Sequence, residues 1–411
     1  MKSYFTTLFL SVATAMIMLI PACDCGESKV LEGTDALYPV EVNDKWGFID
    51  CEGNMVIEPR FYNAGQFSDG LAPACVGDWL EHKWGYINTK GEFVIKPQYI
   101  EAEVFEQGMA RVAEKSTNWR GWQYTIINTK GETLFSWNLD EPDEYGYELS
   151  EGLMHIRKYD NNGKEAAYGY IDKNGKMVVD CRFSMAQPFK EGLAAVCIGY
   201  TGAPETGRWG YINHKGEMEI GAHFFYADRF SEGLAAVKTE EGDDGKWGYI
   251  NKKGEMVIEP KYSEARPFCH GLAAVRVGDM FTGKWGYINQ EGKMVIAPKF
   301  SNAQDFSEGG LAEVWVGEAY SNEGQNGFID ATGRFVIKID NDVLSKVAGF
   351  ELNSCQGSLT KDGKLLVVTM SYEFWQDLIR NTTSRWGYMN MKGEFVWLSE
   401  IEKSQMKYEL Y

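Results

Sequence analysis

Apolar and polar positions along the chain fall into short blocks, and the same order of blocks returns many times. One clear copy runs Lys246-Trp247-Gly248-Tyr249-Ile250-Asn251, then Gly254-Glu255-Met256-Val257-Ile258-Glu259-Pro260, then Tyr262, Ala265 and Phe268, and ends on Gly271-Leu272-Ala273-Ala274-Val275. Trp-Gly-Tyr-Ile is aromatic and β-branched and reads as a strand. The Asn-Lys-Lys-Gly after it reads as a turn, with glycine supplying the positive φ that other residues resist. Met-Val-Ile is a second strand, making a hairpin with the first. Proline at 59, 97, 260 and 298 ends that strand because it has no N–H to give a ladder. Leu-Ala-Ala-Val is a third strand. The pattern therefore predicts three short antiparallel strands per repeat.

Trp-Gly occurs at 46, 84, 209, 247, 285 and 386, and degenerate versions fill the slot as Tyr124-Thr125, Tyr168-Gly169 and Asn326-Gly327. A period of about 38–41 residues in a self-similar chain signals a repeat architecture. The turn glycines at 363 and 393 fall in a stretch where the step from slot to slot lengthens to 60 residues, so Gly363 reads as the remnant of a tenth repeat. The expected division is a targeting segment over 1–22, a tether over 23–36 and repeats one to eight over 37–337. A degenerate repeat or insertion over 338–385 and a final repeat with tail over 386–411 complete it. Propeller blades have four strands and usually number four to eight. Three strands in nine or ten uneven repeats predict instead an all-β, open, curved, solenoid-like array, with a β-propeller as the alternative.

In a strand Trp247 and Tyr249 share one face, and Gly248 lies on the other. A position without Cβ admits a neighbouring backbone or ring. Trp46, Trp84, Trp209, Trp247, Trp285 and Trp386, each followed by its glycine (Gly47, Gly85, Gly210, Gly248, Gly286, Gly387), are thus expected to form a buried ladder between repeats. A hairpin alone is marginal, so stacking must supply the core. The other reading is a row of exposed rings that stack on sugars. Cys75 and Cys197 occupy one register in separate repeats, five residues after Gly70 and Gly192. They read as small buried hydrophobes.

These residues resemble the WG-repeat family of bacterial proteins, through Trp-Gly in register with Gly-x-x-Val-Ile-x-Pro and Phe-x-Glu-Gly-Leu-Ala over roughly Leu37 to Leu398. The resemblance implies an all-β repeat domain, often secreted or attached to the envelope. It brings no catalytic motif. Repeats three, four and eight lack the full Trp-Gly, and 338–385 departs most.

The N-terminus is of a different kind. Lys2 precedes an apolar stretch, Leu8 to Ile20, too short to span a bilayer, and Pro21-Ala22-Cys23 follows. That is the pattern of a secretory signal. Leu19-Ile20-Pro21-Ala22-Cys23 resembles a lipoprotein lipobox, which makes Cys23 the expected lipidation site. An ordinary signal peptide is the alternative. Both readings place the mature protein outside the cytoplasm, and the first attaches it to a membrane through lipid only. The chain has 59 acidic residues against 41 Lys plus Arg, a formal charge of −18, and so lacks the basic face that nucleic-acid binding requires.

The chemistry-bearing residues are few in kind. The residue before the Gly turn reads Asp69, Gln107, Glu151, Glu191, Glu232, His270 and Glu308 along the repeats. A position that recurs is set by the turn, whereas acid–base catalysis needs one differently tuned pair. Cys269 and His270 are adjacent on the chain and point oppositely, a poor nucleophile–base geometry. The five histidines are scattered, and Glu240 to Gly245, the best calcium candidate, lacks EF-hand order and reads as a solvated loop. No catalytic residue, cofactor or metal site is expected. Two stretches interrupt the repeat: Asn138 to Ser150, and Tyr372 to Asn381. The second places Phe374, Trp375, Leu378 and Ile379 at helical spacing, predicting a capping helix. The expected function is a non-catalytic protein-binding scaffold at the cell envelope; the alternative is a carbohydrate-binding module using surface aromatics.

Overall fold

The computed structural model describes residues 36–78, 80–115, 122–138, 149–159, 166–200, 207–240, 245–279, 282–307, 309–317, 325–339, 354–359, 365–376, 379–390, 394–399 and 402–407. The targeting segment, Gly363, Leu378 and Glu308 fall outside them. Every element among the described residues is a strand, and the strands form nine separate antiparallel sheets. The repeated motif builds the sheets, as expected, with one strand more than predicted.

The fifth sheet illustrates the construction. Its strands are Met185–Ala186, Ala194–Ile198, Arg208–Ile212 and Met218–Phe224, hydrogen-bonded in that order. Each middle-sheet equivalent opens on the same two-residue strand, such as Asn63–Ala64 or Tyr226–Ala227. Two residues are too short to show any periodicity, and so three strands were predicted. The first two strands belong to the end of one sequence repeat and the last two to the start of the next. Sheet and repeat are therefore out of phase.

Between the second and third strands the register is strict: Ala195 faces Tyr211 and Cys197 faces Trp209, as Ala236 faces Tyr249 and Lys238 faces Trp247. The third and fourth strands pair through a bulge, with Trp209 opposite Phe224 but Tyr211 opposite Ile220. That bulge brings the fourth strand's backbone over the glycine. A Cβ at Gly248 would lie 2.4 Å from the Ile258 carbonyl oxygen, and Gly47, Gly85, Gly210, Gly286 and Gly387 stand in the same relation to the residue ten positions on.

The chain divides into two compact units, Arg60–Pro298 and the remainder. Within the first of these, the cores lie between consecutive sheets. Tyr211 and Ile220 of the fifth sheet pack with Phe230, Val237 and Ile250 of the next, and Tyr249 and Ile258 of that sheet pack with Phe268, Val275 and Ile288 of the seventh. In the second unit the first sheet (Tyr38–Val42, Lys45–Ile49, Met55–Phe61) packs on the last, whose strands include Leu365–Gln376 and Ile379–Asn390. The Tyr388 hydroxyl donates to the Pro39 carbonyl at 3.2 Å across 349 residues of sequence, and Trp46 stacks on Trp386 with centroids 6.1 Å apart.

Those contacts overturn the open solenoid-like array. In an open array the two terminal repeats are the most distant parts of the chain, and the hydrogen-bond ladders run on from sheet to sheet without a break. Here the first and last sheets touch. The strands hydrogen-bond within separate sheets, four-stranded in seven cases, with three strands in the first and five in the last, and these sheets meet their neighbours through side chains, the blade construction of the β-propeller alternative. The capping helix is corrected too. Leu365–Gln376 and Ile379–Asn390 pair in register, with Phe374 opposite Asn381 and Trp375 opposite Arg380. The stretch is rich in β-branched and aromatic residues, which favour a strand, and the helical spacing of four apolar residues is coincidental.

Candidate binding pocket

The recurring residues hold consecutive sheets together. Four third-strand tyrosines are fully buried, and the hydroxyl of each donates to a backbone carbonyl of the chain entering the next sheet: Tyr86 to Glu103 at 2.7 Å, Tyr170 to Gln187 at 2.8 Å, Tyr211 to Asp228 at 2.7 Å and Tyr249 to Arg266 at 2.8 Å. Burial raises the pKa of the Tyr86, Tyr170 and Tyr211 phenols far above its usual value. The recurring turn acid has a second task. Asp69, Glu151, Glu191 and Glu232 adopt φ of +51° to +56°, the first position of a tight x-Gly turn. Their carboxylates accept the N–H of the turn glycine one sheet on, at Gly108 (2.7 Å), Gly192 (2.9 Å), Gly233 (3.0 Å) and Gly271 (2.9 Å). Three are held again by a hairpin residue of that next sheet: His214 on Glu151 at 3.0 Å, Lys252 on Glu191 at 3.0 Å and Gln290 on Glu232 at 3.1 Å. The acids are intersheet latches.

The tryptophans are less buried than the ladder expectation required. Trp209 and Trp285 are buried, but Trp46, Trp84, Trp247 and Trp386 are half-buried. The fully buried rung is the tyrosine two residues later, because the bulge that covers the glycine leaves the tryptophan nearer the sheet end. The tryptophans have specific neighbours nonetheless. Tyr226 lies between Trp209 and Trp247 with centroids 5.3 and 5.2 Å away, and the Arg266 guanidinium covers Trp285 at 5.2 Å.

Cys75 and Cys197 lie opposite Trp84 and Trp209, buried as expected, and burial pushes the Cys75 thiol up to about 11. His270 takes the left-handed place of the turn acid, φ +53°. Cys23, residues 139–148 of the first interruption and residues 241–244 of the acidic loop lie outside the described residues. Among the described residues no group of three His, Cys, Asp or Glu is placed to hold a metal ion. Burial raises two carboxyls, Asp228 and Glu313, against the pull of the Arg229 N–H on the first and of the Asn326 amide on the second. They belong to different compact units.

Several residues that the repeat does not account for line one cavity. A cavity of about 440 Å³ opens among the second, third and fourth sheets. Its floor is Ala64, Pro73, Met109, Ala110, Ile126 and Met154, all buried; its wall is half-buried Trp84 and Arg111; its rim carries Asn63, Glu103, Val104 and Glu106. Several of these residues break the pattern. Arg111 faces Ile126 at the register point where other sheets set Ala195 against Tyr211, Ala236 against Tyr249 and Ala274 against Tyr287. Replacing the tyrosine by isoleucine removes a latch and a ring. Gly65 has no side chain where Gln187, Asp228 and Arg266 stand in other sheets, as the shared backbone bonds Gly65 N–H to Pro73 and Asp228 N–H to Ala236 show. Glu106 stands where Ser231 bonds the Phe268 carbonyl at 2.6 Å. The missing glycine of the third sheet is also compensated, since Thr125 hydrogen-bonds Ser136 at 2.9 Å.

Arg111 is fixed from two sides, by an ion pair with Glu103 and by the Tyr124 ring 4.8 Å from its guanidinium carbon. Glu103 is largely open to water, with 46% of its side chain exposed, and so the pair contributes orientation more than stability. The sequence search missed the pocket because it looked for residues that recur. The readable signal was the reverse: departures at 65, 111 and 126.

Known proteins add the following. Six stretches, 46–78, 84–116, 168–201, 209–242, 247–281 and 285–317, match the family of WG-containing repeats. No curated protein matches the chain. Among solved structures, puromycin hydrolase is similar over 75% of the chain at 11% identity and a TM-score of 0.35, and the chain spans 58% of its length. Protein lmo1340 of Listeria monocytogenes EGD-e matches over 80% of the chain and 90% of its own at 11% identity, TM-score 0.39. The β-propeller domain of the Trilobed protease from Pyrococcus furiosus matches over 66% and 95% at 9% identity, TM-score 0.35. TM-scores this low carry nothing about activity. The recurring Trp-Gly strand, the bulge above its glycine and the six matched stretches agree, and the chain belongs to the WG-containing repeat family.

Proposed function

We propose that the protein is a non-catalytic binding scaffold of the cell envelope, a nine-bladed frame tethered by lipid at Cys23, and that it holds a protein partner at the Arg111 pocket. The observation that carries this reading is the contrast between latch and pocket. The recurring tyrosines and four of the turn acids are occupied in joining sheets, whereas Gly65, Arg111 and Ile126, which break the pattern, line one cavity. A packing role does not require such convergence, and a cavity with apolar floor and few polar groups is the usual form of a binding site.

The test is site-specific photo-cross-linking in intact envelopes, with the reactive residue at Asn63 on the pocket rim or at Lys90 in an exposed hairpin turn. A single protein adduct from position 63 only, lost together with membrane association in Cys23→Ala, is the expected result. Adducts of equal yield at both positions, or none at 63, refute a partner at the pocket, and unchanged membrane association in Cys23→Ala refutes the anchor.

A further inference from the structure

We infer that the pocket takes an organic cation: an ammonium or guanidinium group on an apolar stem. The inference rests on reading the cavity as a binding site and adds the chemistry of what enters it.

Charge decides first. Two carboxylates, Glu103 and Glu106, stand at the mouth, and a single cation, Arg111, lines the wall. Arg111 already has Glu103 and the Tyr124 face, so an incoming anion would have to displace an intramolecular carboxylate and approach a second one. Glu106 has no cation beside it among the described residues. Among the described residues the mouth is left with one carboxylate that has no ion-pair partner, on a chain whose formal charge is −18. Such a field draws cations in and slows anions.

The wall and floor decide the rest. Half-buried Trp84 offers an indole to the cavity, the ring on which a cation is best stabilised. Beneath it Met109, Met154 and Ile126 make a floor with no charge. Thioethers adapt to an alkyl stem of varied shape. A bare inorganic cation would leave that floor wet, and a neutral apolar ligand would leave Glu106 unanswered. A stem of a few carbons with a charged head fits both, within about 440 Å³. A lysine or arginine side chain of a polypeptide and a free alkylamine share this chemistry.

Binding is read on the whole protein by saturation-transfer NMR and by tryptophan fluorescence at low salt. The probes are N-acetyl-lysine methylamide, N-acetyl-norleucine methylamide with the same four-carbon stem and no ammonium, n-butylammonium, a lysine-containing heptapeptide and a neutral oligosaccharide. The inference requires saturable binding of the lysine amide, no measurable binding of the norleucine amide, and loss of the fluorescence response in Trp84→Phe. Glu106→Gln should weaken binding about fivefold, the size of a rim charge, and Met154→Trp, which fills the floor, should abolish it. Butylammonium as strong as the heptapeptide identifies a free amine; a heptapeptide at least tenfold tighter identifies a polypeptide. Norleucine amide or oligosaccharide binding as well as the lysine amide, lost in Met154→Trp, overturns the cation and leaves the pocket as a binding site. No probe distinguishing the native protein from Met154→Trp overturns both.

Discussion

Gly248 and Gly233 belong to the same sheet and are needed for opposite reasons. At Gly248 the obstacle is space: a Cβ would sit 2.4 Å from the Ile258 oxygen and 2.9 Å from the Pro260 nitrogen, both backbone atoms that cannot turn aside. At Gly233 nothing lies within 4 Å of such a Cβ, but φ is +82°. Gly248→Ala should therefore destabilise by about 3 kcal/mol or more, because the bulge itself must move. Gly233→Ala should cost only about 1–2 kcal/mol, the price of a left-handed alanine. Urea denaturation of the two variants measures the difference, and equal losses would contradict this assignment of roles. The need for glycine after tryptophan was legible in the sequence, as was the burial of Cys75 and Cys197. The neighbour that enforces it was not, because a bulge is a property of two strands and the sequence shows one at a time.

At the scale of elements, a sheet gains a neighbour through a tyrosine hydroxyl on one side and a turn carboxylate on the other. Glu191 shows what the second contributes: its oxygens receive the Gly233 N–H and the Lys252 ammonium. Both partners are partly in water, so Glu191→Ala should cost about 1 kcal/mol in thermal or urea unfolding. Tyr249→Phe, which leaves the Arg266 carbonyl without its buried donor, should cost about 1–2 kcal/mol. A Glu191→Ala variant as stable as the native protein at low salt would remove the latch from the account. The sequence marked this acid as a turn residue and gave no sign of its reach to the next sheet. The helix expected near Phe374 failed for a related reason. Apolar spacing was read over one segment, while pairing with the strand that follows, which includes Trp386-Gly387, settled its form.

At the scale of the molecule, the first and last sheets share a core of Tyr38, Val40, Ile49, Leu365 and Tyr388. Tyr388 is 2% exposed, and truncating it should cost about 3–5 kcal/mol. The informative measurement is amide exchange. Tyr388→Ala should lower protection in the strand Tyr38–Val42 as well as in its own sheet, although 349 residues separate Tyr388 from Pro39. Loss confined to the C-terminal strands would restore the open array. The repeat period announced all-β tandem construction. Whether the ends meet was illegible, because Trp46 and Trp386 read alike whether they stack on each other or on a missing neighbour.

The offset between repeat and sheet has a genetic consequence. A sheet such as the fifth takes two strands from one repeat and two from the next, so each repeat straddles two sheets. Unequal crossing-over between homologous Trp-Gly segments inserts or deletes one whole repeat. It joins the end of one copy to the start of another, and every sheet in the product still has its full set of strands. A blade can thus be gained or lost in a single recombination event, without passing through a half-built one.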